Sequence, residues 1–455
     1  MSATAALRET TVLYVSHDMG GGVQRHLEQL TQTLGDRVQV ATLLSQPQQY
    51  VKLSLGARAW YFHQRDQFQD LLDMLRTIPV VCVHVHHLAG LQPEFWRLAG
   101  HLDLSYSLTL HDYSLINGVT TLSDDDGFFL QDIALQKQPQ CARLPDWCES
   151  LSQWQHMSAQ LLDDAETVFC PSEFVREVFL AHYPAANYLP CYHPDWERDA
   201  PYPAVSPGPT RDGILRVAVL GMLGREKGAD RLEACAIAVR DRELPMEFLL
   251  FGQAYRRLHD SVTTLGPYQE TQLPALLAEQ AIDLVWFPAL WAETYSYTLS
   301  HCLRQGLAVL APDVGAFPER LAGRPLSYLF PYRCSSDEII TRLEMIREQV
   351  LPMSESLAWQ HQAVPDQQAF LYGRDYLAGL SAGASKPALQ ASEFDRFSKE
   401  PFALKFAAFR TRLLGWLLGR GDSRLLAMLQ KMVPYGVQKR AKRLLSDKPL
   451  HELDR

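Results

Sequence analysis

Two side chains stand out by their surroundings. Lys227 lies in GMLGREKGAD (221–230), a stretch punctuated by Gly221, Gly224 and Gly228 that follows an apolar run. Glycines let such a loop turn tightly, and a lysine there can set a compact positive charge on a diphosphate. No Gly-x-x-x-x-Gly-Lys-Ser/Thr occurs, so it is not a Walker A loop, and a solvated surface lysine is the competing reading. Glu293 lies in FPALWAETYSYTLSHCLRQGLAVLAPDVGAFPER (287–320), ahead of a helix expected to start near Ser296. Thr294 and Ser296 can cap that helix. The amides of Tyr295, Ser296 and Tyr297 would then point out of its first turn, where free N–H groups and the helix dipole favour phosphate oxygens. A carboxylate beside such a site makes sense if it faces a neutral, hydroxyl-rich group such as a sugar.

Other chemistry-bearing residues carry two readings each. His111-Asp112-Tyr113 follows the fourth apolar run of the first half. A histidine there can do acid–base work, and a satisfied loop histidine is the alternative. Gly20, Gly21 and Gly22 in SHDMGGGVQRH let backbone approach an anion at a helix start, or simply form a flexible turn. G-x-G-x-x-G is not matched, which argues against a dinucleotide fingerprint. His84, His86 and His87 lack metal spacing with any partner and read as structural. The eight cysteines include no CxxC, and Cys141 and Cys148 read as free thiols.

Doubly wound α/β elements are needed to position these residues. Apolar runs at 11–16, 38–44, 79–85, 106–111 and 167–172, and again at 215–221, 246–252, 283–288 and 307–312, are continuous. That pattern belongs to strands buried on both faces of a parallel sheet. Helical patterns lie between them: Val23, Leu27, Leu30 and Leu34 share a face, and Gly35 is a stop. The Pro-, Gly- and charge-rich stretch 197–213 reads as a linker, and 381–387 as a second break. The expected layout is a Rossmann-like domain at 1–198, a second at 212–380, and a basic helical extension at 388–455. Ligands of open α/β sheets bind beyond the carboxyl ends of strands, where Lys227, Glu293 and His111 all fall.

The 455 residues carry a net charge of −9, which argues against a general nucleic-acid binder. Positions 401–446 hold ten Lys/Arg and one Asp, a local charge of +9, leaving −18 for the rest. Such a segment suits an interfacial helix on an anionic membrane, or a helix packing on the body or on a partner. The first twenty residues lack a signal-peptide core, and no run is long enough to span a bilayer. The expected address is cytoplasmic, with the basic end as a contact to the inner face of the plasma membrane.

Taken in order, GGGVQRHLEQL, TLHDY, VFCPSEFV, GMLGREKGAD, GPY (266–268) and ETYSYTLS…G…APDVGAFPER resemble the retaining glycosyltransferases of the GT-B fold, glycosyltransferase family 4. The branch they look most like assembles bacterial surface polysaccharide such as O-antigen. The resemblance covers roughly 11–380. It implies two facing Rossmann-like domains, and hexosyl transfer, mannosyl or rhamnosyl, from a nucleotide-diphosphate sugar to a glycan or lipid-linked glycan. It implies no cofactor or metal, so Asp124–Asp126 reads as a solvated loop. Lys227 would bind the donor diphosphate together with the amides of Tyr295, Ser296 and Tyr297. Glu293 would bind the transferred sugar, His111 would contact it near the reacting carbon, and Gly21 and Gly22 would let a loop close over the donor.

Three positions depart from the family pattern. His301 stands where a second glutamate usually meets the ribose, Met222 where an arginine is common, and Gln24 where a glutamate is common. They motivate an alternative, a catalytically weakened donor-binding or scaffold subunit of a polysaccharide assembly complex.

Overall fold

The structure, a computed structural model, describes residues 10–195, 203–206, 208, 212–353, 355–359, 370–378 and 391–408. The basic segment beyond 408, part of the 197–213 stretch and most of the 388–455 extension lie outside the described residues.

The first sheet has eight strands: β1 (Thr11–His17), β2 (Gln39–Gln46), β3 (Tyr50–Leu55), β4 (Arg58–His63), β5 (Val80–Val85), β6 (Tyr106–Thr109), β7 (Thr167–Cys170) and β8 (Tyr188–Pro190). Their order is β4-β3-β2-β1-β5-β6-β7-β8. β1 runs parallel to β2 and β5, with Val12 opposite Val40 and Cys82. The second sheet has six: β9 (Leu215–Leu223), β10 (Met246–Ala254), β11 (Val262–Gly266), β12 (Leu284–Trp286), β13 (Val309–Pro312) and β14 (Ser327–Phe330), in the order β11-β10-β9-β12-β13-β14. The longer described helices are α1 (Gly21–Leu34), α2 (Phe68–Thr77), α3 (Leu151–Asp163), α4 (Glu173–Leu180), α5 (Ala229–Asp241), α6 (Leu273–Glu279), α7 (Tyr297–Arg304) and α8 (Ser336–Val350).

Alternate residues of the central strands of the second sheet serve different cores. Val217, Val219 and Trp286 pack in one cluster, Ala218, Leu220, Val285 and Phe287 in another. Both faces are therefore covered, which is why these runs read as continuously apolar. In α1, Leu27, Leu30 and Leu34 are buried and Gly35 ends the helix, its N–H donating to Thr31 O.

Part of the first sheet departs from the parallel expectation. β2, β3 and β4 are antiparallel. The connections are too short for a crossover helix, so each strand must fold straight back. Between β2 and β3 the turn closes with the Tyr50 N–H donating to Pro47 O (3.3 Å). Both its central residues, Gln48 and Gln49, have φ 57°, as in a type I′ turn.

By packing, the described residues form two compact units, one within 1–109, 164–168 and 371–455, the other within 110–163 and 169–370. In the first, the buried His84 ring bonds Tyr376 Oη (3.0 Å) and Thr109 Oγ1 (2.8 Å) and stacks on His86 at 4.1 Å. Phe397 packs on Phe62 at 4.6 Å. Late-sequence residues thus complete the core around β1 and β5.

Candidate active site

Lys227 follows β9, in the turn that enters α5. Gly228 caps that helix with φ 84°, and a Cβ there would lie 2.1 Å from Pro288 O. Only glycine permits this approach. The Leu290 N–H donates to Glu226 O (2.8 Å). The buried Arg231 guanidinium reaches the carbonyls of Pro288 and Ala289 (both 3.4 Å) and of Tyr332 (2.6 Å). The lysine loop is thereby tied to the chain that leaves β12.

That chain carries Glu293. Its carbonyl accepts from Ala316 N–H (2.8 Å), and a Cβ on Gly315 would lie 2.6 Å from the same oxygen. The two loops, 66 positions apart in sequence, bring Lys227 Nζ to 3.8 Å from Glu293 Oε1, with the lysine side chain 50% and the glutamate 11% exposed. A half-exposed pair contributes about 0–1 kcal/mol to stability, so its interest lies in placement. The ammonium has three donors and can face Glu293 and a phosphate together.

The neighbouring residues come from distant segments. Thr294 Oγ1 donates to His111 O (2.8 Å), which fastens the His111 strand end to the Glu293 loop. The His111 ring lies 5.4 Å from that of His193, and His193 lies 4.5 Å from Tyr295 and stacks on Tyr297 at 5.5 Å. The Tyr295 hydroxyl donates to Asp195, which also pairs with Arg304 (3.3 Å). Burial pushes the Tyr295 phenol well up; the Arg320 charge opposes this and Asp195 adds to it. The Tyr113 phenol is raised likewise, by burial first and then by Glu319, Asp112 and Glu293. Tyr295 is thus a neutral packing post, and only its backbone is left for a ligand.

α7 begins at Tyr297, one residue later than expected, and neither expected side chain caps it. Ser296 sits at φ 71°, ψ 89°, away from the extended geometry that aims a cap oxygen at the first turn. Its Oγ meets Thr298 Oγ1 (3.1 Å) instead, and the Thr294 hydroxyl is spent on His111. Among the described residues the backbone amides of Tyr295 and Ser296 donate no hydrogen bond.

His301, one face further along α7, sets Nε2 3.5 Å from Glu270 Oε2. Gly21 and Gly22 belong to the other compact unit and stand exposed at the head of α1. Asp125 of the acidic run is exposed and pairs with Arg143 (3.1 Å); the Asp125 carbonyl accepts from Arg225 (3.0 Å). All eight cysteines are free thiols. Sequence reasoning missed His193, Asp195, Glu270, Arg231 and Arg320. The signal available for Arg320 was its place in GAFPER; the others carry none in their spacing.

No family model matches the chain, and no curated protein matches its sequence. Solved structures do resemble it. Sucrose-phosphate synthase from Thermosynechococcus elongatus is 14% identical, covering 85% of this chain and 98% of its own, with a TM-score of 0.50. The lipopolysaccharide outer core galactosyltransferase WaaB, in its apo form, is 11% identical over 80% of this chain and 98% of its own, with a TM-score of 0.48. Anabaena Alr3699/HepE, in complex with UDP, is 13% identical over 75% and 94%, with a TM-score of 0.46. The chain has the GT-B fold, two α/β domains built on eight- and six-stranded sheets, as in the first of these structures. Among the described residues no helix is long and apolar enough to cross a membrane.

Proposed function

We propose that the chain is a retaining glycosyltransferase of the family 4 kind. It moves a hexosyl group, mannosyl or rhamnosyl, from a nucleotide-diphosphate sugar to a glycan or lipid-linked glycan in bacterial surface polysaccharide assembly. The observation that carries the reading is the Lys227–Glu293 pair, 3.8 Å apart beside the head of α7. The lysine offsets charge on the departing diphosphate, the amides of Tyr295, Ser296 and Tyr297 receive its oxygens, and Glu293 accepts hydrogen bonds from the sugar. His111 lies against the reacting carbon. His301 meets the ribose, with Glu270 next to it to supply a carboxylate.

Retention follows from front-face attack, with the leaving diphosphate taking the acceptor proton. Catalysis is then positioning and charge stabilisation. No divalent cation takes part in this scheme, and turnover unchanged by EDTA is expected.

The 401–446 segment is the proposed contact to an anionic membrane at the cytoplasmic face, where a lipid-linked acceptor resides. Phe402 is 81% and Phe406 52% exposed. They stack at 6.3 Å, one helical turn apart, at the start of this cationic segment.

A thermal-shift screen against nucleoside diphosphates is the first test, because a ligand of the folded state raises apparent stability by RT ln(1 + [L]/Kd). Glu293→Ala and Lys227→Ala are then expected to abolish transfer in folded protein; undiminished turnover would reject their roles. The scaffold alternative draws on His301, whose imidazole faces Glu270. It predicts donor binding without turnover, restored by His301→Glu.

A further inference from the structure

We infer that Arg320 is a positioning residue for the Glu293–Tyr297 loop, holding it in the one shape that turns two successive amides outward; the inference rests on the donor-site reading above and deepens it. The side chain is buried, 4% exposed, near the end of the short Phe317–Leu321 helix. Its Nη1 donates to the carbonyl oxygens of Tyr295 (2.7 Å) and Ser296 (2.9 Å), and its Nη2 to Ser300 Oγ (2.8 Å). The guanidinium also lies 4.0 Å over the Tyr295 ring. One buried cation thus clamps two consecutive carbonyls and the first turn of α7 from behind.

Planar trans peptide units set their C=O and N–H in opposite directions, and the described residues contain no cis bond. The Tyr295 carbonyl shares its unit with the Ser296 amide, and the Ser296 carbonyl with the Tyr297 amide. Drawing both carbonyls onto Arg320 therefore turns both amides away from it. Ser296 takes up the strain, in the left-handed region at φ 71°, which a residue with a Cβ keeps only where its surroundings over-determine it. The same Gly315–Arg320 stretch holds the other end of the loop, through the Ala316 N–H on Glu293 O (2.8 Å). The sugar-facing carboxylate and the phosphate-facing backbone are thus set by one support. Lysine would bring a single nitrogen where arginine brings a planar fork.

The test is calorimetric titration of the full-length protein with UDP and GDP, each compared with its nucleoside. Wild type is expected to bind one diphosphate more tightly than the nucleoside. Arg320→Lys and Arg320→Gln are expected to lose about tenfold or more in diphosphate affinity, the scale of a hydrogen bond to a charged group, with nucleoside affinity little changed. Glycine adopts positive φ without strain, so adding Ser296→Gly to Arg320→Lys is expected to restore part of that affinity. A merely structural loss would lower both affinities together. Such a parallel loss, or folded variants with wild-type diphosphate affinity, overturns the inference. If Arg320→Gln does not fold, Arg320→Lys with and without Ser296→Gly decides. Failure of wild type to bind either diphosphate overturns the donor-site reading itself, and this inference with it.

Discussion

Gly228→Ala isolates the contact that sets Lys227 against the Glu293 chain. The new Cβ would lie 2.1 Å from Pro288 O, 2.6 Å from its carbonyl carbon and 2.8 Å from its Cβ, where real Cβ contacts essentially never fall below 3.0 Å. The loop must therefore retreat by about 0.9 Å from backbone that cannot swing aside. Holding alanine at φ 84° costs about 1–2 kcal/mol, and relieving the overlap about 1–3 kcal/mol more. Destabilisation of about 2–5 kcal/mol is expected from the two together. Because Lys227 adjoins the displaced residue, a shift near 1 Å is also expected to cost about 100-fold in kcat/KM. Gly56→Ala is the control, since Gly56 has φ 57° with no heavy atom within 4 Å of the added Cβ. It should show conformational strain alone, about 1–2 kcal/mol, and leave nucleotide binding intact. Denaturant unfolding and diphosphate titration read the two effects. A Gly228→Ala protein as stable as wild type would refute the packing argument, and one destabilised yet binding diphosphate normally would refute its link to Lys227.

Two further outcomes are expected. Burial, with His84 adding, pushes His26 down to about 3, and burial, with Lys137 adding, pushes His182 down to about 4. Both folded-state values lie below the unfolded 6.5, so the unfolded chain takes up protons first. Stability should fall as pH drops from 6.5 toward 4, by up to about 1.4 kcal/mol per pH unit for each group. His182→Gln should flatten that slope, and a melting temperature constant from pH 6.5 to 5 would contradict the assignment. The full-length protein should pellet with anionic but not neutral vesicles. Phe402→Ser with Phe406→Ser should weaken this and ending the chain at Ala384 should remove it; equal pelleting of all three would dismiss the membrane contact.

The sequence made legible what depends on local pattern. Val217–Leu220 and Val285–Phe287 serve opposite faces of one sheet, so their runs are uniformly apolar and read as buried parallel strands. Lys227 and Glu293 were each recognisable from the glycines and helix start beside them, and their loops do meet. The β2–β3 hairpin was not legible, because Gln48-Gln49 takes positive φ without the Asn-Gly or Asp-Gly that announces such a turn. The helix cap was misjudged because Ser296 obeys Arg320 rather than its own hydroxyl. His193, Asp195 and Glu270 could not be found, since they reach Tyr295, Tyr297 and His301 only through tertiary folding.

The partition of the core around β1 and β5 bears on biosynthesis. The unit bearing Lys227 and Glu293 is complete once residue 370 has left the ribosome, whereas the unit containing β1 still awaits Tyr376 for His84 and Phe397 for Phe62. The earliest strands to emerge are thus the last to be sealed, and a nascent chain stalled before position 376 would leave their buried histidines without a tyrosine lid.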